Sequence, residues 1–141
     1  MNLYAESSAV LTWLLGEKRA SAVRRQLRSA NIVFASDLTL VECERVLIRA
    51  RALNEITEKR AISCRARLIT ASNEWHILRV GADIVNRGRL PFPAEPVRTL
   101  DALHLASAII ARTAVPDLAL LTLDERVRSS AQQLGFVTLP K

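Results

Sequence analysis

The sequence predicts an α/β fold, in which a central, mostly parallel sheet is covered by helices on both faces to give three α/β/α layers. Short apolar runs of strand length alternate with helical patterns along the whole chain, which is the order expected for a parallel sheet. Hydrophobic residues make up 50% of the 141 residues, enough for a substantial core. No repeat, low-complexity tract or linker divides the chain, so we expect a single domain over residues 1–141.

Five apolar runs have the length of strands, and seven helical patterns lie between or after them. The predicted strands are Leu3–Ala5, Ile32–Ala35, Ile77–Val80, Leu118–Leu121 and Phe136–Leu139. The predicted helices are Ser8–Leu15, Glu17–Ser29, Asp37–Leu53, Glu55–Ser72, Ala82–Leu90, Thr99–Arg112 and Asp124–Leu134. The proline-rich segment 91–96 is predicted to be a loop, and Gly135 ends the last helix.

The charge balance points to a polyanionic partner. The chain has 20 basic and 14 acidic residues, for a net charge of +6, and only three of the basic residues are Lys. Arginine binds phosphate through a bidentate fork that lysine cannot form, so RNA or DNA is a reasonable partner. The alternative is that these arginines simply cover surface helices.

The chain is expected to be cytoplasmic and without a membrane partner. Its two cysteines, Cys43 and Cys64, have no metal-type spacing and suit a reducing compartment as buried thiols. No stretch reaches the about 20 apolar residues that a membrane span needs. The N-terminus has no basic segment, and Glu6 and Ser7 interrupt its apolar run, so no signal peptide is expected.

Four acids fall at the boundaries of the predicted elements: Glu6, Glu42, Asp101 and Asp124. Ligands bind beyond the carboxyl ends of the strands in open parallel sheets, which places Glu6 and Asp124 at the functional edge; spacing does not place the other two. Two carboxylates about 4 Å apart repel by about 1 kcal/mol in water and about 4 kcal/mol near a protein surface. A cluster of them therefore indicates a hard cation such as Mg²⁺ or Mn²⁺.

Asp124 and Asp101 each have a structural interpretation as well, and Glu42 is ambiguous for another reason. Asp124 precedes a helix and suits an N-cap, and Asp101 lies in a first turn, where it favours the helix dipole. Glu42 cannot be told from Glu44 on the helical wheel. An acid at the inner end of a buried first strand gains little structurally, so Glu6 favours function.

The polar neighbours of these acids leave similar alternatives. His104 lies one turn after Asp101, where it would orient the carboxylate, contact phosphate or pack in the core. The hydroxyls of Ser7 and Ser8 would either bond a carboxylate or cap the following helix. The sequence contains no Ser-His-Asp constellation, and its four glycines form no phosphate-binding loop. A phosphoacceptor receiver domain also has an acidic, Mg²⁺-binding edge, but it needs a lysine near the end of the fifth strand. The only lysine near that strand is the chain-terminal Lys141.

Four stretches of the chain resemble the ordered motifs of PIN-domain ribonucleases, and most of all those of VapC-type toxins from bacterial toxin–antitoxin pairs. The stretches are Tyr4–Val10, Leu40–Arg45, Thr99–Ala106 and Leu121–Arg126. The resemblance implies a PIN-like sandwich in which Glu6, Glu42, Asp101 and Asp124 are the catalytic metal ligands for Mg²⁺ or Mn²⁺. It favours Glu42 over Glu44, and it gives supporting roles to Ser8 and Thr122, with His104 beside them.

The resemblance also implies an activity and partners. These are hydrolysis of RNA phosphodiesters, homodimers, and inhibition by a small VapB-type antitoxin whose tail occupies the acidic groove. Arg45, Arg98 and Arg126 lie close in sequence to the acids and are candidates for contact with RNA phosphates. The family usually has Asp where this chain has Glu6, which leaves open a catalytically weak or inactive module that binds an antitoxin-like partner.

Overall fold

The computed structural model describes all 141 residues and contains five strands and seven helices. The strands are β1 (Asn2–Ala5), β2 (Ile32–Ser36), β3 (His76–Leu78), β4 (Ala119–Leu121) and β5 (Thr138–Leu139). The helices are α1 (Ser7–Leu15), α2 (Ala20–Ser29), α3 (Asp37–Ala52), α4 (Glu58–Ser72), α5 (Ala82–Gly88), α6 (Thr99–Ala114) and α7 (Glu125–Gln133).

The strands form one sheet in the order β3-β2-β1-β4-β5, and every neighbouring pair is parallel. On one side of β1 the sheet continues with β2 and then β3. The next strand along the chain, β4, lies on the other side of β1. The order therefore reverses between β1 and β4. Such a reversal opens a crevice beyond the carboxyl ends of the two strands.

The alternating side chains of β1 show how the two faces of the sheet are covered. Tyr4 packs into a core with residues of α6 and α7, whereas Leu3 and Ala5 face cores built with α1, α2, α3 and α4. All three of these β1 side chains are fully buried. The predicted three-layer α/β fold is confirmed, because neighbouring residues of a strand point to opposite faces and each face has its own helices.

Several predicted boundaries are shifted for local reasons. The second helix begins at Ala20 instead of Glu17, because Gly16 and Arg19 both have positive φ angles, 65° and 77°, which separate it from α1. The fourth helix begins at Glu58 because the Thr57 side chain accepts a hydrogen bond from the Arg60 N–H and caps it. The outer strands β3 and β5 are shorter than predicted.

The structure also bears on the cysteines and on the question of a membrane-spanning helix. Cys43 and Cys64 are both buried free thiols, and burial raises the pKa of Cys43. Among the seven helices, none combines the length and the apolar character that crossing a membrane requires.

Candidate active site

Glu6 follows β1 directly at the point where the strand order reverses. Its backbone N–H donates to the carbonyl of Leu121 at 3.0 Å, so the end of β1 is joined to the end of β4. The Glu6 side chain is 5% exposed and caps α1 by accepting from the Ser8 N–H at 3.1 Å. Its Oε2 accepts from the hydroxyls of Ser8 and, at 2.7 Å, Thr122. Because each oxygen accepts at least one hydrogen bond, the buried carboxylate is held in one orientation.

The Ser8 hydroxyl connects Glu6 to the segment that carries Asp124. Ser8 Oγ accepts from the N–H groups of Leu123 and Asp124 at 2.9 and 3.1 Å, while it donates to Glu6. Thr122 Oγ1 also accepts from the Asp124 N–H, at 3.1 Å. The residues predicted to support the first and last acids therefore lie between those acids and bond to both.

Glu42 lies in the second turn of α3 and faces α6. Its Oε1 accepts from the Ser7 hydroxyl at 2.9 Å and lies 2.5 Å from His104 Nε2. The other ring nitrogen of His104 lies 3.0 Å from the Tyr4 hydroxyl, which donates to Ser36 Oγ. His104 itself is 1% exposed. This buried polar network ties β1, α1, α3 and α6 together.

His104 carries the positive charge in the part of the site that contains Glu6 and Glu42. Burial acts to lower its pKa, but the contacts with Tyr4, Glu42 and Glu6 outweigh burial and raise the pKa to about 10. Burial likewise acts to raise the pKa of Glu42, but the hydrogen bond and charge of His104 prevail and lower it. The two groups thus form an imidazolium–carboxylate pair, with Glu6 Oε1 4.0 Å from the same ring nitrogen.

Glu44 is placed differently from Glu42, although only two residues separate them on the same helix. The Glu44 carboxylate forms an exposed ion pair with Arg65 of α4 at 3.4 Å. It contacts none of the other predicted site residues. The structure thus places Glu42, and not Glu44, with Glu6 and His104.

Asp101 and Asp124 form the other half of the site and are bridged by Arg98. Arg98 Nε donates to Asp101 Oδ2 at 2.8 Å, and its Nη2 donates to Asp124 Oδ2 at 3.3 Å. The remaining oxygen of Asp124, Oδ1, accepts from the N–H groups of Arg126 and Val127 at the start of α7. Asp124 is therefore the N-cap that its sequence position suggested and also a member of this edge of the sheet.

The four acids thus lie at one edge of the sheet. His104 contacts Glu42 and Glu6, and Arg98 contacts Asp101 and Asp124. In this conformation no three His, Cys, Asp or Glu side chains are arranged to hold a metal ion together. The predicted RNA contacts Arg45, Arg98 and Arg126 are all exposed. The metal-ligand role of the four acids stays a prediction.

The donor chemistry of the site suits a hard divalent cation. Carboxylate and hydroxyl oxygens surround the edge, and Mg²⁺ and Mn²⁺ prefer oxygen ligands. Glu42 Oε2 and Asp101 Oδ1 accept no hydrogen bond from the protein, so both are open to a ligand. Four carboxylates face one imidazolium and one guanidinium, which leaves net negative charge. The donor types present are therefore those that such an ion prefers, and Arg98 occupies one oxygen each of Asp101 and Asp124 in this conformation.

Sequence reasoning missed two contributors to this site. The sequence predicts that Tyr4 is a core residue of the first strand, yet its hydroxyl also positions the His104 ring. Arg128 donates to the carbonyl of Thr122 at 2.6 Å and supports the segment before Asp124. For Tyr4, the available signal was its position two residues before a site acid. Arg128 is one of 17 arginines, and nothing in the sequence distinguishes it from the others.

Comparisons with known proteins agree with this fold. The PIN domain family matches residues 3–132. Ribonuclease VapC46 from Mycobacterium tuberculosis is 31% identical over 139 residues, which cover 97% of this chain and 95% of that protein.

The VapC20 toxin of Mycobacterium tuberculosis, described as cleaving the Sarcin-Ricin loop, has a similar structure with a TM-score of 0.69, at 17% identity over 99% of both chains. VapBC2 from Rickettsia felis, solved bound to a promoter DNA fragment, has a TM-score of 0.64 at 11% identity, over 99% of this chain and 98% of that one. The resemblance seen in the sequence motifs is confirmed: the chain belongs to the PIN-domain family, with a VapC-type relative matched nearly end to end.

Proposed function

We propose that this protein is a metal-dependent endoribonuclease and the toxin of a toxin–antitoxin pair. One observation carries the proposal: Glu6, Glu42, Asp101 and Asp124, which are remote in the chain, lie at the edge where the strand order reverses. The family membership and the ribonuclease relative support RNA as the substrate, as does the net charge of +6.

The metal role belongs to the four acids, with Mg²⁺ or Mn²⁺ as the ion. When bound, such an ion polarises a phosphoryl oxygen and lowers the pKa of an attacking water. Glu6 contributes a carboxylate that Ser8 and Thr122 hold in place, and Asp101 and Glu42 contribute oxygens without protein partners. A carboxylate that is not used as a ligand accepts the proton of the water.

The longer side chain of Glu6 is accommodated by these contacts. Its carboxylate turns toward Ser8 and Thr122, so that it caps α1 and lies near the loop before Asp124. Mg²⁺ demands nearly ideal octahedral geometry, and we propose that a ligand displaced by one methylene favours Mn²⁺. Comparing cleavage in Mg²⁺ and Mn²⁺ addresses this choice directly.

The partners follow from the same family. We propose a small VapB-type antitoxin as the inhibitor, and a homodimer as the working form. Structures similar to this chain include the VapBC2 proteins of Rickettsia felis and a toxin–antitoxin complex from Klebsiella pneumoniae. The exposed arginines 45, 98 and 126 draw the RNA backbone to an edge that the carboxylates alone would repel.

The proposal is tested by incubating the pure protein with total RNA plus Mg²⁺ or Mn²⁺, with and without a chelator. We expect cleavage that requires the metal and stops when the metal is removed. RNA that stays intact under every metal condition, in the presence of correctly folded protein, would contradict the proposed activity.

The two glutamates of α3 provide a matched pair of variants. We expect Glu42→Gln to reduce cleavage by about 10- to 100-fold or more, because even outer-shell partners of a metal cost that much. Glu44→Gln removes only an exposed ion pair with Arg65 and should leave the rate within about twofold, since such pairs contribute little. Equal loss in both variants, measured as initial cleavage rates, would show that the site does not depend on Glu42 specifically.

A second candidate function is a non-catalytic module that binds an antitoxin-like partner. It is favoured by Glu6 in place of the usual Asp and by the pairing of the acids with Arg98 and His104. Titration calorimetry with Mn²⁺ separates the two candidates. Absence of binding at millimolar metal favours the module, and binding that is lost in Asp101→Asn favours the nuclease.

A further inference from the structure

Arg98 lies at the junction of a proline-rich loop and the start of α6. It is the N-cap residue of α6, and its guanidinium, which has only hydrogen-bond donors, bonds acids and not the N–H groups of the helix. The side chain is 56% exposed, and its two contacts with acids are to Asp101 and Asp124. Both acids raise the pKa of Arg98, with Asp101 contributing most.

Arg98 bonds one oxygen of each aspartate, and in Asp124 this is the oxygen that a metal ion would need. The guanidinium bonds Oδ2 of both aspartates, while Asp124 Oδ1 already accepts from two N–H groups of α7. Asp124 therefore offers Oδ2 to a cation, whereas Asp101 also has its free Oδ1. A guanidinium and a divalent ion compete at Asp124 Oδ2, because their like charges repel at contact distance.

A cavity next to Arg98 provides a place for the displaced side chain. The cavity has a volume of about 690 Å³, and its lining includes Arg126, Ser129 and Ser130 of α7 together with Arg98 and three acids, Glu95, Asp101 and Glu125. Hydroxyl and carboxylate oxygens accept hydrogen bonds from a guanidinium. A guanidinium released from the aspartates therefore has other acceptors in this space.

We propose that Arg98 is a built-in counter-cation that competes with the divalent ion for Asp101 and Asp124 and, once displaced, turns to the neighbouring cavity. This inference rests on the proposed function. Arg98 offsets part of the negative charge of the two aspartates, and metal binding is the event that frees its guanidinium.

The competition is tested by titrating Mn²⁺ into the wild-type protein and Arg98→Ala by calorimetry, at fixed pH and about 0.1 M salt. We expect Arg98→Ala to bind Mn²⁺ about three- to tenfold more tightly, as expected from the loss of two exposed ion pairs. Arg126→Ala is the matched control, because it removes one charge from the same cavity wall and keeps the backbone N–H that residue 126 donates to Asp124. Its Mn²⁺ affinity should change by less than about twofold, since exposed charges are screened by salt.

The outcomes separate the inference from the proposed function. If Arg98→Ala binds Mn²⁺ no more tightly than the wild type, or if Arg126→Ala tightens binding equally, the competition is overturned while the metal site stands. If neither the wild type nor Arg98→Ala binds Mn²⁺ at millimolar concentration, the metal site fails and the inference fails with it. As a second readout, added Mn²⁺ should raise the melting temperature of Arg98→Ala more than that of the wild type, because tighter binding stabilises the native state more.

Discussion

Asp101→Asn is expected to reduce metal-dependent RNA cleavage by about 1,000-fold or more while the protein stays folded. Loss of an outer partner of a metal already costs about 10- to 100-fold, and Asp101 is proposed as a ligand with an open oxygen. The side chain is 15% exposed in the first turn of α6, so its neutralisation costs only about 0.5 kcal/mol of helix-dipole stabilisation. Cleavage rates and circular dichroism of the purified variant measure both quantities.

Asp83→Asn is the control for this substitution. Asp83 is an exposed acid in the first turn of α5, so like Asp101 it lies in the first turn of a helix, but it forms no hydrogen bond or ion pair with the four acids. Its variant should cleave RNA at the wild-type rate. Undiminished metal-dependent cleavage by a folded Asp101→Asn protein would remove Asp101 from the site.

His104→Ala is expected to lower the free energy of unfolding by about 2 to 4 kcal/mol, measured by urea denaturation in the presence of a chelator. The cost arises because breaking a buried ion pair or hydrogen-bond network leaves the remaining partners unpaired. Here the carboxylate of Glu42 loses its imidazolium and the Tyr4 hydroxyl loses one of two partners. The same variant should cleave RNA more slowly, since Glu42 is no longer oriented.

His76→Ala provides the comparison for His104→Ala. His76 is exposed at the start of β3 and its ring packs against Phe34 with centroids 5.3 Å apart. Its removal should cost no more than about 1 kcal/mol, typical of a partly exposed aromatic pair. A His104→Ala protein as stable as His76→Ala would mean that the buried network contributes nothing measurable.

Part of the site follows from the sequence through the topology of parallel sheets. Glu6 and Asp124 follow two strands whose carboxyl ends must share an edge, and the structure has β1 and β4 as neighbours. Glu42 and Asp101 lie on helices, whose rotation about their axes is set by packing and not by local spacing. The choice of Glu42 over Glu44 therefore came from the family resemblance, and the pairing of Glu44 with Arg65 on a neighbouring helix explains the difference physically.

The cationic side chains were the least predictable part of the site. Arg98 was expected to contact RNA phosphate, yet its guanidinium bridges Asp101 and Asp124. Its contacts with both acids depend on its side-chain torsion angles and on Asp124, which lies 26 residues further along the chain. His104 was placed near the acids by its position one turn after Asp101, but its link through Tyr4 to β1 spans 100 residues and leaves no local pattern in the sequence.

The proposed activity requires a cation bound among Glu6, Glu42, Asp101 and Asp124, and a crystal soaked in manganese tests this directly. We predict an anomalous density peak between these carboxylates, at ligand distances of about 2.0 to 2.2 Å, with the guanidinium of Arg98 moved away from Asp101 and Asp124. A crystal with no peak at this edge, and with Arg98 still bridging the two aspartates at millimolar manganese, would contradict the proposed metal site.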